Sequence, residues 1–344
     1  MEEYKKHWNK SASIIVTAKD DTHPGSSFNY KILTLERLEK SSSYPGATVF
    51  PGGIIEKADA SEDWLELYKS FGFNIDSFNS INPKENRPRI FTALDSQVPS
   101  YLSIRIAAIR ETFEETGILL CRSSKVRCEE NTLWVNFILP DDLVEWQNKV
   151  SNDAREFIKF CARFAMYPDV WSLHEWSNWC SPPNMSKRFD VMIFIAACLE
   201  IPFTSMNVHE ASRLCWATPQ EYLQQYREEK ALLLLPQFYE ISRLKVFCHI
   251  EDLAKFARER ACYGTQTFTS HRIFSEDVIC SILPGDDLYP PTVDFVNCQD
   301  IYLKSIPESK VQHRMYISSI FRLYVVVKNY KPTCNHIAPL SSQM

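Results

Sequence analysis

The sequence predicts an α/β/α sandwich, and three observations carry the prediction. Strand-like and helix-like segments alternate from residue 12 to residue 260. Phe-Asp-Val-Met-Ile-Phe-Ile-Ala-Ala-Cys, residues 189–198, is an apolar run suited to a buried central strand. Leu102, Ile106, Ile109 and Phe113 recur at spacings of four, three and four, one stripe of a helix. Such alternation packs helices against the two faces of a sheet.

The elements follow in order. Residues 12–18 and 29–36 read as strands, joined as a hairpin across the Asp20–Ser27 loop, and residues 46–50 add a third. Pro51, Gly52 and Gly53 break that strand into a loop. Asp63–Phe71 fits a short helix with Trp64, Leu67, Tyr68 and Phe71 on one side, whereas residues 82–100, with Pro83, Pro88 and Pro99, read as looped. Short strands are expected at 118–121 and 133–138, a helix at 152–166, and further helices at 219–229, 236–246 and 251–260. The Leu283–Pro290 stretch is turn-rich, and Tyr316–Val327 has strand character. The expected organisation is one main domain over 10–265, with 266–344 as an extension packed on it.

The chemistry concentrates on two short stretches. Glu111, Glu114 and Glu115 occupy one helical side at i, i+3 and i+4, where three carboxylates repel one another unless something neutralises them. Hard divalent cations with oxygen ligands do so. Arg110 can pair with Glu114 one turn on, and Gly117 is placed to stop the helix. A solvated acidic face is the plainer reading of such a cluster. The flanking arginine and glycine, and the upstream Pro51-Gly52-Gly53, favour a metal site. Adjacent glycines also let the backbone approach a ligand closely.

With 344 residues, 45% of them hydrophobic, the chain can bury a sizeable core. A formal net charge of −5 gives no general nucleic-acid footprint. The 11 cysteines show no C-x-x-C pair and no Cys/His zinc spacing, which points to a reducing compartment with idle thiols. Cys334 and His336 lie close in a polar tail and make a poor site. No apolar run is long enough to span a bilayer, and Met-Glu-Glu-Tyr-Lys-Lys-His-Trp lacks the apolar core of a signal peptide.

Together the two stretches resemble the Nudix box, G-x5-E-x7-R-E-U-x-E-E-x-G-U with U apolar. The match runs from Gly53 through five residues to Asp59, then Arg110, Glu111, Glu114, Glu115, Gly117 and Ile118, with Phe113 one place late for the usual apolar residue. Between Asp59 and Arg110 stand 50 residues where the pattern has seven, so an insertion over about 60–100 splits the motif. The chain is also similar to the nudix motif 19 type within this superfamily. That likeness rests on Trp176-Ser-Asn-Trp179 before Pro182-Pro183, Lys187-Arg188-Phe189-Asp190, Glu210 before Trp216-Ala-Thr-Pro219, and Leu234-Leu-Pro-Gln237.

The resemblance implies a Nudix α/β/α sandwich with a mixed sheet, the insertion, and extra C-terminal helices. It implies Mg²⁺- or Mn²⁺-dependent hydrolysis of coenzyme A or acyl-CoA to 3′,5′-ADP and (acyl)phosphopantetheine. Other Nudix enzymes cleave ADP-ribose, NADH or capped RNA, and a non-catalytic binding module is a further alternative. By resemblance Glu111, Glu114 and Glu115 are metal ligands, Arg110 orients a carboxylate, and Gly52 and Gly53 lie near the diphosphate. Asp59, standing where the family has Glu, and Glu210 are candidate additional acids, and Glu56 is a candidate support for the loop. Arg37 and Lys40 are candidates to meet the 3′-phosphate of coenzyme A, with surface charges at a strand end as the equal alternative, and Lys187 and Arg188 are further phosphate candidates that a solvated strand entrance explains equally well. Trp176 and Trp179 are adenine-stacking candidates, although core packing is the commoner role of such aromatics. The resemblance implies a peroxisomal location, although the chain ends Ser-Ser-Gln-Met rather than Ser-Lys-Leu, which leaves mitochondria or cytoplasm open.

Overall fold

A computed structural model describes the chain except residues 1–7, 23–24, 42, 93–96, 124–132, 296–299 and 342–344. Its centre is a nine-stranded mixed sheet. Strand β1 (Asn9–Lys19) runs parallel to β8 (Phe189–Cys198) along one edge. Its other edge is shared. The C-terminal end of β1 pairs antiparallel with β2 (Tyr30–Arg37), and its N-terminal half pairs with the short β4 (Gly52–Ile54). β3 (Ala47–Val49) and β9 (Ala211–Ala217) both pair with β2, and β7 (His174–Cys180) pairs with β8.

The period-two alternation of these strands sorts the core into two layers. Ala12, Ile14, Val16 and Ala18 of β1, with Met192, Phe194, Ala196 and Cys198 of β8, face one layer. Ile15, Ile193, Ile195 and Ala197 face the other. The first layer is covered by the long helix Ser100–Thr116 and by Leu143–Asn152 and Arg155–Arg163. The second is covered by Pro219–Arg227, Leu235–Leu244 and Ile250–Arg260. The expected sandwich is therefore present. Past residue 265 the chain turns to β-structure. A second, five-stranded sheet there includes the hairpin Gln312–Ser319 and Arg322–Lys328, and Leu283, Met315 and Val325 join the second core layer.

Several elements depart from the sequence expectation. The Gly52-Gly53 loop is a strand, because Pro51 C=O accepts from Ile14 N–H and the Ser13 hydroxyl (2.9 and 2.6 Å) and draws the segment onto β1. The helix expected at 152–166 spans Arg155–Arg163, and a further helix, Leu143–Asn152, precedes it. Asp153, in extended conformation, ends the earlier helix, and its carboxylate accepts from Arg155 N–H to begin the later one. Met166–Pro168 is strand β6, paired antiparallel with β5 (Cys121–Ser123), and 133–138 forms only an isolated bridge from Ile138 to Leu119. Strands β7 and β9 lack a strand signature in the sequence, since tryptophans and polar residues interrupt their apolar pattern.

The insertion is a brace. Trp64 and Tyr68 of its helix (Asp63–Ser70) and Phe78, Ile81, Ile90, Phe91 and Val98 beyond it are buried in the first core layer. Trp64 packs its ring at 5.6 Å from Phe157 and donates its indole N–H to Ala58 C=O (2.9 Å), beside Asp59. Arg87 reaches the fully buried Glu175 of β7 (2.7 Å), which also pairs with Arg105 of the long helix (3.2 Å). The described cysteines are all free thiols, as expected. No helix among the described residues is long and apolar enough to cross a membrane.

A brace and a detachable lid differ in stability. Trp64→Ala removes a buried indole and should cost about 3–5 kcal/mol in urea unfolding. A cost below about 1 kcal/mol, the range of surface changes, would contradict the brace assignment.

Candidate active site

The site is built on the helix Ser100–Thr116, whose side chains are buried on nearly every side rather than along one stripe. Leu102, Ile106, Ile109 and Phe113 enter the core as the spacing predicts. Gly117 ends the helix at φ 73°, a left-handed stop. Arg110, on the side away from that stripe, is 1% exposed.

Every N–H of the Arg110 guanidinium has a partner. Nε and Nη2 meet the two oxygens of Asp59 at 2.8 and 2.9 Å, Nη2 also reaches Ile54 C=O at 3.1 Å, and Nη1 meets Glu111 and Glu114 at 2.9 and 2.6 Å. This fork closes the split motif, since Asp59 lies before the insertion and Arg110 after it. Burial opposes the arginine's charge, but Asp59, Glu111 and Glu114 outweigh it and hold its pKa well above the ordinary value. Asp59 is thus committed to Arg110, with its Oδ2 also accepting Glu56 N–H (2.8 Å). Exposed Glu56 supports this turn through its backbone.

The acids gather around that anchor. Glu115 accepts Gly52 N–H at 2.8 Å, and a Cβ on Gly53 would stand 2.3 Å from the Glu111 carboxylate, so a side chain there would push Glu111 from its place. At Gly52, φ +148° and a Cβ position 2.3 Å from Ala12 C=O exclude any side chain. Glu210 adds its charge to all three helix acids. It is held by Ser151 Oγ and Asn207 Nδ2, both at 3.0 Å. Burial pushes the Glu111 carboxyl up to about 7 and Glu114 up to about 8, with Arg110 pulling both down and neighbouring acids adding to the rise. Glu115 lies well above the carboxylate range, first through burial and then through Glu111, while Gly52 N–H and Arg37 oppose the shift.

The basic candidates divide. Arg37 acts electrostatically on Glu115, and its Nε donates to Ser43 C=O (3.0 Å). Lys40 is exposed on the turn after β2. Lys187 reaches Ser43 Oγ at 3.3 Å, and Arg188 donates to Pro183 C=O at 2.7 Å. Trp176 and Trp179 are buried, and each donates its indole N–H to Glu240 at 2.8 Å. They are core residues on the layer opposite the acids and are not placed to stack on a ligand there. His336 packs edge-on against Trp176 at 4.5 Å, which makes the Cys334–His336 tail part of that packing.

Sequence reasoning missed the supports. Gln147 Nε2 bridges Glu114 C=O (2.9 Å) and Ser205 C=O (2.7 Å), and Asn207 N–H caps Glu115 C=O (3.1 Å). Asn207 and Glu210, three apart, are the one local signal for this arrangement; Gln147 has none.

Among the described residues no three acids, thiols or imidazoles already converge into a metal cage. The donor set nevertheless suits a hard divalent cation. Glu111, Glu114 and Glu115 each commit one oxygen to Arg110 or Gly52, which leaves the second for an outside ligand. Crowded, desolvated carboxylates are what such a cation neutralises.

The chain matches the family described as the NUDT19 Nudix domain over residues 8–244. It is 32% identical to the acyl-coenzyme A diphosphatase NUDT19 of Gallus gallus over 97% of this chain and 95% of that protein. Identity to the proteins of that name from Xenopus laevis and Homo sapiens is 33% and 30%, over 98% and 97% of this chain and 96% and 95% of theirs. A crystal structure of a NUDIX hydrolase from Alicyclobacillus acidocaldarius superposes with a TM-score of 0.53 at 18% identity, over 72% of this chain and 96% of that one, a likeness of fold.

Two outcomes follow from this geometry. Asp59→Asn leaves a buried guanidinium short of a charge partner and should cost about 3–5 kcal/mol in urea unfolding; a loss under about 1 kcal/mol would contradict the clamp. The raised carboxyls set a sign for pH. Below the ordinary carboxyl value near 4.5 the acids are protonated folded or unfolded, and they cost the fold nothing. Between there and about 7 to 8 only the unfolded chain ionises them, so the metal-free fold loses stability as pH rises through that window. The gain in Tm on replacing EDTA with Mg²⁺ should therefore be larger at about pH 8 than at about pH 5, and an equal or reversed gain would contradict the assignment.

Proposed function

This chain belongs to the NUDT19 Nudix family, and from that premise we propose that it hydrolyses the diphosphate of coenzyme A or an acyl-CoA. The products are 3′,5′-ADP and (acyl)phosphopantetheine. The observation that carries the reading is likeness over nearly the whole chain to proteins named acyl-coenzyme A diphosphatase, in a chain that keeps Arg110 and its acids together. We assign the chemistry to residues 10–265 and treat 266–344 as an extension on the same body.

Glu111, Glu114 and Glu115, with Glu210 beside them, would hold Mg²⁺ or Mn²⁺. The ion, when bound, neutralises phosphate oxygens and lowers the pKa of a water. The chain's own residues do the rest. Arg110 fixes Glu111 and Glu114 so that little reorganisation accompanies the reaction. Gly52 and Gly53, bare of side chains, let the diphosphate approach the acids. One of the glutamates takes the proton as the water oxygen attacks phosphorus and the bridging P–O bond breaks. Arg37, on the Glu115 side, and Lys40, on the following turn, meet the 3′-phosphate. A peroxisomal site of action belongs to the same reading, and organelle fractionation checks it.

Product analysis by mass spectrometry tests the substrate. Protein with Mg²⁺ or Mn²⁺ should convert coenzyme A to 3′,5′-ADP and phosphopantetheine, and Glu114→Gln or Glu115→Gln should lose at least about 100-fold in kcat while keeping the fold. Selective cleavage of ADP-ribose, NADH or a capped dinucleotide would replace the substrate. Turnover by no substrate would favour a binding role, and near-normal turnover by either variant would overturn the assignment of these acids.

A further inference from the structure

The helix Leu143–Asn152 turns one stripe toward the end of the acid-bearing helix. Leu143, Gln147 and Ser151 follow one another at i+4 and so share a face. Leu143 stands beside Gly117, where the acid-bearing helix stops. Gln147 holds the Glu114 and Ser205 carbonyls. Ser151 continues the stripe, and its hydroxyl donates to Glu210 Oε1 at 3.0 Å.

Asn207 meets Ser151 from the other side. Its Nδ2 carries two hydrogens and has two acceptors, Glu210 Oε1 at 3.0 Å and Ser151 Oγ at 3.1 Å. Its Oδ1 accepts His209 N–H at 3.0 Å, the Asx turn that an asparagine makes with the backbone two residues on. Its C=O accepts Glu210 and Ala211 N–H at 3.1 and 3.0 Å, and its N–H donates to Glu115 C=O at 3.1 Å. Every polar group of Asn207 is used, and the residue joins the end of the acid-bearing helix to the turn that carries Glu210.

Both donors take the same oxygen of Glu210. Its Oε2 has no hydrogen bond among the described residues, so the carboxylate is anchored by one oxygen and keeps the other. The helix acids follow the same pattern, each committing one oxygen to Arg110 or Gly52. Ala211, next in the chain, pairs with Arg37, and Glu210 acts electrostatically on Glu111, Glu114 and Glu115 together. An amide and a hydroxyl hold Glu210 without cancelling its charge.

We propose that Asn207 and Ser151 are positioning residues that fix Glu210 beside the cation held by the helix acids. This rests on the metal assignment made above. It names the side chains that hold an acid on a turn as firmly as the acids on the helix.

Mn²⁺ binding without substrate tests the proposal, read from the electron paramagnetic resonance of the free ion. Ser151→Ala deletes a hydroxyl on a helix and leaves the turn intact. Asn207→Asp keeps the Asx turn and the bond to Glu115 but sets an anion in place of a donor 3.0 Å from Glu210 Oε1. Each should raise the Mn²⁺ Kd about tenfold, as should Glu210→Gln. In the Glu210→Gln background, Ser151→Ala should add less than about twofold, because its effect passes through the missing carboxylate. Thermal denaturation in EDTA checks that the variants fold, and Ser151→Ala carries the test if Asn207→Asp does not fold. A role confined to the fold would lower Tm and leave Kd in place. A Kd within about twofold of wild type in either folded variant, or a Ser151→Ala effect that adds in full to that of Glu210→Gln, would overturn the proposal and leave the metal assignment standing. A wild-type chain that binds no Mn²⁺ overturns the metal assignment and this proposal with it.

Discussion

The Arg110 guanidinium is the interaction on which the rest of this site depends. Its planar fork takes Asp59 with two parallel bonds and directs its remaining donors to Ile54, Glu111 and Glu114. Lysine, with a point charge and three donors, could not hold these groups together. Because Asp59 and Arg110 are joined in space, the 50 intervening residues can be added without separating the two halves of the motif. The insertion in turn strengthens the join, with Trp64 fixing the turn beside Asp59 and Arg87 tying the insertion to Glu175 and so to Arg105 on the same helix.

One arginine cannot neutralise all the acid that the fold brings to it. Glu111 and Glu114 share Nη1, while Glu115 and Glu210 lie outside the fork, and burial drives the helix carboxyls toward their neutral forms. The fold thus places carboxylates where they are costly without a further cation. Arg110 sets their positions, Gly52 and Gly53 leave space at their oxygens, and the Ser205–Asn207 segment caps the end of their helix. Preorganisation of this kind lets charge stabilisation act without rearrangement during the reaction.

Much of this was legible before the structure. The helix, its glycine stop, the Arg110–Glu114 pair and the central strand at 189–198 follow from spacing and composition, which report local geometry. The catalytic chemistry became legible through family resemblance, because spacing alone could not separate a metal site from a solvated acidic face. What stayed hidden depends on tertiary contacts. Asp59 looked like a further acid near the ligand and proved to be the arginine's counterion. Gly52 and Gly53 read as a loop, and only the pairing with Ala12 and Ser13 makes them a strand. Gln147 and Ser151 act through partners more than 30 residues away, which leaves no trace in a local pattern.

Anomalous scattering from crystals grown with Mn²⁺ tests the central claim most directly, because it locates the ion without reference to substrate or rate. A peak within about 2.5 Å of the second carboxylate oxygens of Glu111, Glu114 or Glu115 is the predicted result. Manganese bound only elsewhere, or acids left without a cation in its presence, would contradict the account.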